Sequence, residues 1–122
     1  MKRLLFCIAL VAGLLGVIIY ADRHMERYEQ SVTRLIADTR KQIEHGMLDL
    51  ADESLQDGIE RLREKEHIMA IFVRREQLAR LEEFLCAARS YALAGNEEET
   101  CAELARAESH MYNMKHQFSK LI

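Results

Sequence analysis

Eighteen consecutive residues, Leu4 to Ala21, carry no charge. As a helix this run spans roughly 27 Å at about 1.5 Å per residue, close to the hydrocarbon thickness of a bilayer. Lys2 and Arg3 precede it, and Asp22, Arg23 and His24 end it. The run is read as an uncleaved transmembrane signal-anchor, residues 1–21. The alternative is a signal peptide cut near Ala21. A signal peptide's apolar region is shorter, about 7–15 residues, and ends in a small-x-small site. Here Ile19 occupies the position three before such a cut, and Cys7 follows Leu5 and Phe6 rather than the small residues of a lipoprotein signal.

The flanking charges favour the N-terminus on the cytoplasmic side and the domain outside. Lys2 and Arg3 lie before the run with no acidic residue, whereas Arg23 and Arg27 beyond it are accompanied by Asp22 and Glu26. Localisation is therefore expected at the cell membrane, as a single-pass protein. Ala9/Gly13 and Ala12/Gly16 have small-xxx-small spacing, which suits helix packing in membranes and equally suits an ordinary span.

Residues 22–122 form the expected second unit, an extracytoplasmic helical domain. Proline is absent from all 122 residues. Proline breaks helices and punctuates loops, so its absence suits long helices with short turns. The fold class is all-α: the anchor followed by a small antiparallel helical bundle of three to four helices. Of the 17 basic and 20 acidic residues, only Lys2 and Arg3 precede Asp22. The domain is thus acidic, which argues against nucleic-acid binding.

Periodicity predicts four helical segments. The first covers about 23–45, with Tyr28, Val32, Leu35, Ile36, Ile43 and Met47 on one stripe, and continues the anchor as a stalk. Gly46 is placed as its C′ residue. The second covers about 48–64, with Leu48, Ala51, Leu55, Ile59 and Leu62 on one face. The third covers about 67–94, with Ile71, Leu78, Leu81, Leu85, Ala88 and Ala92. The charged stretch Arg61–Glu66 separates the two, and one long bent helix over 48–94 is the alternative. Gly95-Asn96 is the clearest turn. Asn96 is expected to cap the last helix, with Glu99 closing a capping box. That helix covers about 97–120, and Leu104, Ala107, Met111, Met114, Phe118 and Leu121 alternate at spacings of three and four, as in a coiled-coil seam.

No catalytic motif is found: no Gly-rich phosphate loop, no nucleophile elbow and no paired metal histidines. The protein is therefore read as non-enzymatic, without a cofactor. His110, Met111, Met114 and His116 look like a soft-metal set, but the two histidines lie about 240° apart around a helix. The site reading is therefore no metal. Cys86 and Cys101 flank the Gly95 turn, where a hairpin register leaves them offset by about 6 Å along the axis, against a disulfide.

Ile68 to Val73, Ile-Met-Ala-Ile-Phe-Val, coats every side of a helix. Either it meets several neighbours in the core, or part of it is an exposed patch for a partner. Ile68, Met69, Ile71, Phe72, Val73, Arg74 and Arg75 are the candidate interaction patch, with the arginines as its polar rim.

The whole layout resembles the DUF4363 family. The resemblance rests on the basic start, the single hydrophobic helix, the Gly46 turn, and the Gly95-Asn96 turn leading to a last helix ending Phe118-Ser119-Lys120-Leu121-Ile122. It implies a membrane-anchored helical protein of the kind found in Firmicutes, with no activity assigned. Members often carry a mid-domain tryptophan and a histidine near the third helix. This chain has no tryptophan, and Arg75 or a neighbour stands in the histidine's place. The expected function is a membrane-tethered helical interaction or structural module, its partner another protein or a second copy. The alternative is a sensory or ligand-binding four-helix domain that works with a separate signalling partner.

Overall fold

The computed structural model describes residues 1–121; Ile122 and the side chains of Ser119 and Leu121 lie outside the described residues. Part of the family-like C-terminal ending, and the last seam position Leu121, fall there. Regular structure among the described residues is helical: α1 Lys2–Glu44, α2 Leu48–Phe72, α3 Arg75–Leu93 and α4 Glu97–Leu121.

α1 is 43 residues long without a break, about 65 Å at the helical rise. Its residues from Lys2 to Tyr20 are exposed, and burial begins at Ala21. From there Met25, Tyr28, Val32, Ile36, Thr39 and Ile43 face the core. The charges of Asp22–His24 therefore change what surrounds the helix without ending it, because none of them breaks the backbone ladder. Met47, expected on this stripe, instead lies in the turn and is exposed.

Polar pairs set the direction of each neighbour. Ser54 donates to Gln42 at 2.8 Å and Lys65 reaches Ser31 at 3.5 Å, so α2 runs antiparallel to α1. Arg89 meets Asp52 at 2.8 Å and Arg63 meets Glu82 at 2.5 Å, reversing α3 against α2. Gln77 donates to Gln117 at 2.6 Å and Phe84 meets His110, reversing α4 against α3. Lys115–Glu29 and Arg40–Glu108 then tie α4 back to α1. One apolar cluster runs through all four helices, from Ala21 to Phe118.

Two of the turns have the same construction. At Gly46 the N–H groups of Gly46 and Met47 donate to Ile43 and Gln42; at Gly95 those of Gly95 and Asn96 donate to Ala92 and Tyr91. This is the Schellman pattern, and both glycines have the left-handed φ it needs, 73° and 77°. Asn96 Oδ1 accepts the Glu99 N–H at 3.2 Å, as a cap should. The N–H of Asn96 is already committed to Tyr91, which leaves no donor for Glu99 to close the box.

The third turn contains no glycine and falls elsewhere than expected. Arg61–Glu66 lies inside α2, a mostly exposed stretch with only Leu62 turned inward. The chain breaks at Val73 (φ −128°, ψ 146°) and Arg74 (φ −62°, ψ 137°), two extended residues. Any L-residue adopts these angles, so no glycine is required. Ile71 consequently belongs to α2, not to the third helix's stripe, and is 76% exposed.

Gly58 has a different role from the turn glycines. A Cβ there would lie 2.3 Å from Leu35 Cδ2. Its lack of a side chain lets Leu35 of α1 lie directly on α2.

Candidate functional site

The end of α2 dissects the Ile68–Arg75 segment. Met69 and Val73 are buried in the core cluster, while Ala70 and Phe72 are half-buried against it. The Phe72 ring meets Phe118 of α4 edge-on, with centroids 6.5 Å apart. Ile68 and Ile71 remain exposed, as do Arg74 and Arg75. The structure therefore holds four of the apolar residues in or against the core cluster and presents two isoleucines and two arginines outward. Because the helix ends within the segment, its last turn buries one side and leaves the other open.

A second surface feature was not anticipated. An open groove of about 810 Å³ runs between α1 and α2. Arg27, Arg34 and Lys41 line it from α1 and Arg61 and Lys65 from α2, facing Asp38, Asp57 and Glu64. None of these five cations makes an ion pair among the described residues. The signal was present as the seven-residue spacing of positions 27, 34 and 41, which puts them on one helix face. Side chains of both signs line this open groove, which suits charged groups.

The histidines and methionines of α4 separate as their spacing requires. Met111 and Met114 are in the core. His110 Nε2 lies 2.7 Å from the Gln77 carbonyl, so it bridges α4 to the first turn of α3. His116 stacks on Tyr112. Cys86 and Cys101 are unbonded. The pairings 77 with 117 and 84 with 110 put Cys101 level with residue 93, about 10 Å along the axis from Cys86. Burial, with Glu82 nearby, pushes the Cys86 thiol above its ordinary range. Such a thiol is a poor nucleophile.

Tyr28 sits in a small cleft between α1, α2 and α3 with Arg63, Glu66 and Glu82 around it. Burial and then the two carboxylates push its phenol above the ordinary tyrosine value. The ring is thus held neutral, and it behaves as a core side chain. The two buried threonines are also accounted for locally: Thr39 and Thr100 donate to Leu35 and Asn96 carbonyls one turn back.

No family model, no curated protein and no solved structure matches the chain.

Proposed function

We propose that this is a bitopic membrane protein whose four helices form an up-down-up-down bundle, serving without catalysis as a membrane-tethered interaction or structural module. The observation that carries this reading is α1 itself. Eighteen uncharged residues, exposed until Ala21, pass without a break into a helix whose next half is core. An apolar surface of that length has no cover among the described residues, and a bilayer supplies one. Cleavage near Ala21 would cut a helix and remove a core side chain. The flanking charges favour the N-terminus inside and the bundle outside, and the resemblance to DUF4363 belongs with this reading. Tethering raises the local concentration of whatever face the bundle presents.

The α1–α2 groove favours a second reading, a ligand-binding sensory domain coupled to a separate signalling subunit. Its charged lining is the specific feature in support. Crosslinking in native membranes tests the interaction module. Photoreactive residues at Leu93 and Tyr112, both exposed apolar positions on the helical domain, are expected to capture one discrete protein adduct. Protein that yields no adduct at either position and extracts as a lone chain contradicts the interaction module.

A further inference from the structure

The cross-helix register fixes where the α2–α3 turn lies along α1. Ser54 pairs with Gln42 and Lys65 with Ser31. Continuing that register to the end of α2 puts Ile71 level with Met25, and Phe72 level with His24. Two separate observations agree. Ala21, the last residue of the uncharged run, is buried in the same cluster as Val73 and Phe118. The Phe72–Phe118 contact brings the end of α4 to this level as well. The base of the helical domain therefore closes around α1 within about one turn of the point where the uncharged run ends.

At this base Ile71 is 76% exposed and Ile68 39% exposed. Arg23, Arg27, Arg74, Arg75 and Lys120 are exposed at the same level, against the exposed carboxylates of Asp22, Glu26 and Glu76. An apolar tip ringed by long cationic side chains fits the layer between hydrocarbon and water, where arginine and lysine keep their charges among headgroups. Ile71 stands about 6 Å beyond Ala21 along the axis, inside a headgroup layer of roughly 5–8 Å. The run of about 27 Å is also slightly short for a hydrocarbon core of about 30 Å, which draws the base toward the membrane.

We propose that the α2–α3 turn is a lipid-contact element: Ile71 rests in the headgroup layer of the bilayer that α1 spans, with Ile68 just above that layer, and Arg74 and Arg75 bind anionic phospholipid headgroups. This rests on the spanning reading of α1. It makes the turn a second attachment point that holds the domain upright on the membrane, whichever side it faces.

The test uses the full chain with its three cysteines replaced by alanine, reconstituted in vesicles of phosphatidylcholine with a minority of phosphatidylglycerol. An environment-sensitive fluorophore is attached at Ile71→Cys, at Leu93→Cys on the far end of the domain, or at Leu14→Cys in the run, and the helical circular dichroism is checked for each. The expected result is a blue-shifted label at 71 that shallow nitroxide lipids quench, with no quenching at 93. Adding Arg74→Glu and Arg75→Glu is expected to reduce the quenching at 71, more so when phosphatidylglycerol is present. A water-like, unquenched label at 71 beside a quenched label at 14 overturns the proposal and leaves the span intact. An unquenched label at 14 overturns the span, and the proposal with it. A label at 71 that is blue-shifted but unquenched, and that follows the protein-to-lipid ratio, shows a second copy on the patch and overturns the lipid assignment.

Discussion

Leu81→Ala is expected to lower the stability of the helical domain by about 2–5 kcal/mol, a large share of the roughly 5–15 kcal/mol that holds a small domain together. Leu81 is fully buried, on the same α3 face as Leu78, Leu85 and Ala88. The cost combines the lost transfer of three carbons from water with the void they leave. The surroundings can close that void only in part. Leu93→Ala is the matched control. That side chain is 67% exposed at the end of the same helix, so its loss is expected to stay within about 0.5 kcal/mol. Urea unfolding of the reconstituted full chain, followed by far-ultraviolet circular dichroism, measures both. Equal effects at the two positions would mean that α3 does not pack as described.

Arg23→Pro is expected to cost about 3 kcal/mol or more, although Arg23 is exposed and contributes nothing to the core. Residue 23 lies inside the unbroken span of α1. Proline there removes the hydrogen bond to the Ile19 carbonyl and clashes with that oxygen, which kinks or breaks the helix. Arg23→Ala keeps the ladder and is expected to cost under about 0.5 kcal/mol. The difference between the two variants isolates the backbone. Spin labels at positions 10 and 40, about 45 Å apart in a straight helix, are expected to give a shorter and broader distance distribution in the proline variant. An unchanged distribution would show that the anchor and the domain are separate segments already.

The residues that were easiest to interpret in the sequence are those whose structural effect is local or periodic. Gly46 and Gly95 announce left-handed turns because few other residues accept a φ near 75°. The core face of α4 follows directly from Leu104, Ala107, Met111, Met114 and Phe118, all of which are buried. The continuity of α1 through Asp22–His24 was legible as a stalk, since none of those residues breaks the backbone ladder. The α2–α3 break was harder, because Val73 and Arg74 use ordinary extended angles. A trace of it does exist in the pattern. The buried positions run from Met69 of α2 to Val73 in the turn and resume at Leu78 of α3, and that five-residue step is out of phase with a continuous helical stripe. Moving the break there is what divides Ile68–Val73 into an inward half and an outward half. The basic row of the α1–α2 groove escaped notice because interspersed charges look like a solvated face until the seven-residue spacing is traced.

Membranes washed at alkaline pH, which strips peripheral proteins, followed by mass spectrometry of the retained chain, test directly whether residues 1–21 stay attached to the helical domain in a bilayer. The chain is expected to stay in the membrane, with its N-terminal peptides, including residues 4–21, recovered joined to the residues that follow. A chain released by the wash and beginning at Asp22 would contradict the spanning reading of α1.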